Sequence, residues 1–128
     1  LGFVLGMVAF THDAVAYKTT DGAKSWTRLN TTGLKSPLAL HFVNETVGLL
    51  SVFDATGCPA NCENRTVLYK TEDGGQFWKK HTYPELKGQF RQFLAGPDGR
   101  LYATLDLNLS SYAIMVSDDD AETWDTLY

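Results

Sequence analysis

The chain lacks most of the features that would announce a function. No apolar run approaches the roughly 18 to 20 residues that a membrane-spanning helix needs, so no membrane span is expected in this segment. Its 11 basic residues are scattered singly or in pairs such as Lys79-Lys80, and against 15 acidic residues they leave a net charge of −4. With no basic cluster, nucleic acid is not an expected partner. Cysteine is scarce. A zinc site would need about two ligands besides Cys58 and Cys62, and His12, His41 and His81 are not grouped with that pair. There is no glycine-rich phosphate loop, no serine nucleophile elbow and no interior segment with a convincing helical pattern. No cofactor, no metal and no catalytic residue is expected from these absences.

One modification signal, in contrast, is abundant. Asn30, Asn44, Asn64 and Asn108 each begin an N-x-S/T sequon, and all four fall between expected strands. They imply N-linked glycans and a secreted or secretory-pathway protein. Cys58 and Cys62, in Cys-Pro-Ala-Asn-Cys, suit a small disulfide loop in the same oxidising compartment, with free thiols as the alternative. The apolar segment Leu1 to Phe10 can be read as a signal-peptide core followed by Ala14-Val15-Ala16. It has no basic flank, however, and it aligns with strands inside the chain, so a strand is expected there.

That alignment rests on a threefold repeat. Tyr17-Lys18-Thr19-Thr20-Asp21-Gly22-Ala23-Lys24-Ser25-Trp26 matches Tyr69-Lys70-Thr71-Glu72-Asp73-Gly74-Gly75-Gln76-Phe77-Trp78, and both match Met115-Val116-Ser117-Asp118-Asp119-Asp120-Ala121-Glu122-Thr123-Trp124. Each copy has Ser or Thr (Thr19, Thr71, Ser117), Asp two residues later (Asp21, Asp73, Asp119), a small residue, and then Trp (Trp26, Trp78, Trp124). An Asp at such a position is expected to accept hydrogen bonds from amides one to three residues on, where the chain reverses. Gly22, Gly74 and Gly75 can take positive φ at little cost, and Asp120 must tolerate it. The Trp is expected to bury its ring under the next strand.

The pattern resembles the Asp-box, or bacterial neuraminidase repeat, S/T-x-D-x-G-x-x-W, of the β-propeller superfamily. It departs from it at Ala23 and Ala121, where the family has Gly. Leu38 to Asn44 and Val47 to Phe53 also look like the first two strands of a blade. The resemblance implies an all-β fold of about three antiparallel four-stranded propeller-type blades, the first lacking its A strand. This would be a partial or oligomer-completed β-propeller, a single repeat domain over 1–128 with units 1–33, 34–85 and 86–128. The expected strands are 3–10, 14–19 and 26–29; 38–43, 47–53, 67–71 and 77–82; and 90–95, 101–107, 113–117 and 123–128. Closed propellers have about four to eight blades. Three blades therefore imply part of a longer propeller, a ring closed by other copies, or exposed blades and edge strands stacked into an open polymer.

Among Asp-box proteins the sialidases are enzymes that use an arginine triad, a Tyr–Glu pair and an acidic acid/base residue. Arg28, Arg65, Arg91 and Arg100 stand apart, none in the Arg-Ile-Pro setting of that family, so no sialidase residue carries over. His41, in an apolar strand, is expected to be a satisfied core histidine. The reading is a secreted, glycosylated, non-catalytic module that binds proteins or self-assembles, similar to sortilin-like or photosystem II assembly-factor-like blades. The alternative is a fragment of a sialidase-like glycoside hydrolase whose catalytic residues lie outside this chain.

Overall fold

A computed structural model of the chain describes residues 1–53, 65–108 and 111–127. The described residues form eleven strands and no helix. Sheet 1 is the meander β1 (Gly2–Met7), β2 (Ala14–Thr19) and β3 (Thr27–Arg28). Sheet 2 orders β4 (Pro37–Phe42), β5 (Gly48–Val52), β6 (Arg65–Thr71) and β7 (Lys79–Lys87) in sequence. Sheet 3 does the same with β8 (Gln89–Ala95), β9 (Leu101–Asn108), β10 (Ser111–Ser117) and β11 (Asp125–Thr126). All neighbours are antiparallel. The architecture is all-β, with three open antiparallel sheets of three or four strands, and the first has three.

Several strand limits differ from the sequence reading. β1 stops at Met7 because Phe10 and His12 take positive φ and the chain closes a tight loop, with the His12 amide donating to the Val8 carbonyl at 2.9 Å. β7 runs on to Lys87 rather than stopping near Thr82. Past a register shift it pairs Lys87 with Arg65, carrying sheet 2 beyond the expected unit boundary at 85. Gly88 alone then separates sheet 2 from sheet 3. Its φ is +126°, and a Cβ would lie 2.1 Å from the Asp106 carbonyl oxygen, so no other residue fits.

The sheets pack face on face, and sheet 2 is covered on both sides. Between sheets 1 and 2, Ala16 and Leu29 meet Phe42, Leu50, Val52 and Trp78. Between sheets 2 and 3, Leu49, Leu68 and Tyr83 meet Phe90, Met115 and Trp124. Every residue of β5 is buried as a result. The usual strand alternation of apolar and polar side chains is thus replaced in β5 by Leu49 facing one core and Leu50 the other. The leading strands of the three sheets come together, β1 against β4 and β4 against β8. At that junction the His41 ring lies between Phe3, 5.6 Å away, and Phe93, 6.3 Å away.

Candidate functional site

The three repeated turns share one hydrogen-bond scheme. In each, the Ser or Thr hydroxyl donates to the Asp Oδ1 at 2.8 Å and accepts an amide from four residues on, at Ala23 (3.1 Å), Gly75 (2.9 Å) and Ala121 (3.0 Å). The carboxylate in turn accepts the amide four residues after it, from Ser25 (2.9 Å), Phe77 (3.0 Å) and Thr123 (2.8 Å). Its reach is one residue longer than the sequence reading. The second oxygens of Asp21 and Asp119 take the Ser25 and Thr123 hydroxyls, each at 2.5 Å, whereas Asp73, facing Phe77, takes the Gln76 amide at 3.0 Å on the same Oδ1 that accepts Phe77.

Two successive residues in every turn are left-handed: Gly22 and Ala23, Gly74 and Gly75, Asp120 and Ala121. The side chains that supply the missing ladder bonds are what hold that conformation, including at three residues that are not glycine. The carboxyl groups respond to the same contacts. Hydrogen bonds from the Ser25 hydroxyl and amide, and then from Thr19, lower Asp21 from 3.8 to about 2. Asp73 is lowered chiefly by the Phe77 amide and the Thr71 hydroxyl. At Asp119 burial pushes upward, but the Thr123 side chain and amide together with Ser117 outweigh it, and the group also ends low. All three are therefore ionised acceptors at neutral pH. A general acid needs the opposite shift.

The tryptophans do not share one environment. Trp78 and Trp124 are 9% and 8% exposed, each in the core shared with the preceding sheet, with Trp78 edge-on to Phe42 and Trp124 against Phe90 at 4.9 Å, each partner in the tryptophan's own sheet. Trp26 is 43% exposed, which corrects the expectation of three equally buried anchors. Its ring occupies the same place on sheet 1, but among the described residues no sheet stands on that side. His41 also departs from its expected satisfaction. Its Nε2 is buried without a hydrogen-bond partner among the described residues, and burial lowers its pKa from 6.5.

Two lysines missed by the sequence reading lock the sheets together. Lys18 Nζ donates to the carbonyls of Glu45 (2.7 Å) and Gly74 (2.9 Å) and sits over the Phe42 ring, so the end of sheet 1 holds the turn of sheet 2. Lys70, at the matching position of sheet 2, holds the turn of sheet 3 through Glu122 at 3.0 Å. The signal was present, since Tyr-Lys-Thr occurs at 17–19 and again at 69–71. Sheet 3 has Val116 there. Tyr83 reinforces the second seam by donating its hydroxyl to the Ala121 carbonyl.

The arginines are spread over the molecule, not gathered. Arg91 pairs with Asp106 at 2.8 Å and Arg100 with Asp118 at 3.1 Å, while Arg28 lines a cleft of about 460 Å³ together with Asp13, Asn30, Thr32 and Gln76. Asn30 and Asn44 are exposed. In both sequons the Thr hydroxyl donates to the asparagine Oδ1, from Thr32 at 2.8 Å and from Thr46 at 3.0 Å. Asn108 ends β9. Asn64, Cys58 and Cys62 lie outside the described residues. No family model, curated protein or solved structure matches the chain.

Proposed function

We propose that the chain is a non-catalytic β-propeller-type module of the Asp-box kind, N-glycosylated in a secretory compartment, that acts by binding protein, a second copy of itself included. The observation that carries this reading is the state of the three repeated carboxylates. Each is low in pKa and bonded to the hydroxyl and amides of its own turn, so the most conspicuous motif is committed to holding the backbone. What the fold leaves for function is broad sheet faces and strand edges, surfaces suited to macromolecular contact. The sequon geometry supports glycosylation at Asn30 and Asn44, where the hydroxyl is already on the amide oxygen. Asn64 and Asn108 complete the proposed set, with Cys58 and Cys62 as its disulfide.

The test is expression in a secreting eukaryotic host. A mass loss on treatment with peptide-N-glycosidase, together with no release of fluorophore from a fluorogenic sialoside, is the expected result. Hydrolysis of the sialoside by the purified chain would overturn the non-catalytic reading. An unchanged mass after the glycosidase would remove the glycans and the compartment.

A further inference from the structure

Among the described residues, sheet 1 has one face covered and one open. Phe3, Leu5, Ala16 and Leu29 pack towards sheet 2. On the opposite face the register sets Gly2 across from Thr19 and Val4 across from Tyr17. The Trp26 ring reaches the Gly2 position at 4.0 Å, so it lies on this face too. Val4 is 51% exposed here.

The same surface occurs twice more in the molecule. In sheet 2, Gly48 is across from Thr71 and Leu50 across from Tyr69, with Trp78 beside them, and this surface is buried against sheet 1. In sheet 3, Leu101 is across from Ser117 and Ala103 across from Met115, with Trp124 beside them, and this one is buried against sheet 2. What covers it both times is the forward face of the preceding sheet. That face presents Leu5 across from Ala16 in sheet 1 and Ser51 across from Leu68 in sheet 2. Among the described residues one forward face is left open. On sheet 3 it carries Leu94 across from Tyr102, Tyr102 across from Val116, and Thr104 across from Ile114. Leu94 is 67% exposed, and Leu127, bonded by its amide to the Ile114 carbonyl, is half exposed.

We infer that the Trp26 face of one copy docks on the Leu94 face of a second copy, continuing between chains the packing that joins the sheets within a chain. This rests on the protein-binding reading above and specifies its partner. The contact is heterologous, because two different patches meet, so it leads to a closed ring or an open string and not to a face-to-face pair. It is also weaker than the internal seams. The lysine that grips the next turn, Lys18 in sheet 1 and Lys70 in sheet 2, is replaced by Val116 in sheet 3, so the seam between copies lacks that grip. Association should therefore be reversible and concentration-dependent.

Light scattering after size exclusion tests this. The polypeptide of 14.2 kDa should give a mass that rises with concentration. Trp26→Arg blocks one patch and Leu94→Arg the other, so each variant alone should stay monomeric, while an equimolar mixture should form a dimer through the one intact pair of faces. Val4→Arg serves in place of Trp26→Arg if that variant fails to fold, as judged by its circular dichroism. A wild-type monomer at every concentration would overturn the inference, as would association that survives both variants or a mixture that stays monomeric. None of these outcomes depends on the sialoside assay, so the broader reading stands or falls separately.

Discussion

At the scale of single residues, the turns show how a carboxylate holds a left-handed backbone. Asp73 accepts the Thr71 hydroxyl and the Gln76 and Phe77 amides, and removing such a cap strands donors in the manner of a lost helix cap. Asp73→Ala is expected to lower the midpoint of a urea titration. Ala23 sits at φ +73°, a conformation that costs a residue with a Cβ about 1–2 kcal/mol. Replacing it with Gly adds about 0.5–1 kcal/mol of freedom to the unfolded chain. Relief of the backbone strain outweighs that added freedom, so Ala23→Gly should raise the melting temperature slightly. Gly75→Ala should lower it. Its Cβ would meet Leu29 at 2.7 Å, so a strained backbone is joined by a clash across the seam. The turn carboxylates also fix an acid response. Unfolded, Asp21 takes its proton near 3.8; folded, it holds off to about 2. Its contribution is present above pH 3.8 and disappears as pH falls from there towards 2, so Asp21→Asn should flatten the stability profile in that interval.

At the scale of elements, the seams between sheets carry most of the packing, and the partners in each are unequal. Lys70 is nearly buried while Glu122 is half exposed. Removing Lys70 leaves a carboxylate that water can solvate. Removing Glu122 leaves a buried ammonium with its main counter-charge gone, which is the costlier loss. Glu122→Ala is therefore expected to destabilise by about 2 kcal/mol and Lys70→Met by no more than about half as much. Chemical unfolding of the two variants decides the order. The tryptophans rank by the same logic. Trp78→Ala and Trp124→Ala each empty a core position, at about 3–5 kcal/mol, whereas Trp26→Ala in the monomer should cost clearly less because its ring is already half in solvent.

At the scale of the whole molecule, the three sheets meet where the His41 ring lies between Phe3, edge-on to it, and the tilted ring of Phe93. His41 is held neutral there by burial, with an ordinary value of 6.5 lowered in the folded chain. The unfolded chain therefore binds the proton first, and stability present above pH 6.5 is lost as the pH falls through the lowered value. Urea midpoints measured on either side of that ordinary value, in weakly alkaline and in mildly acidic buffer, should differ more for the wild type than for His41→Phe, which cannot take up the proton. Equal differences in the two proteins would show that the junction does not feel the charge.

Turn chemistry was legible in the residues alone, because the bonds from Thr19, Asp21 and their counterparts close within about four positions and depend on nothing distant. The alternation of Val, Leu and aromatic residues likewise announced eleven strands in groups of three, four and four. What the local pattern could not convey is coverage. Trp26 and Trp78 stand in equivalent words of the sequence, yet one is open and the other buried, since that depends on whether a neighbouring sheet is present. Lys70 finding Glu122, and His41 losing its partner between two rings, were decided by residues far along the chain. Local hydrogen bonding is written in the chain; which faces meet is settled only when the sheets pack.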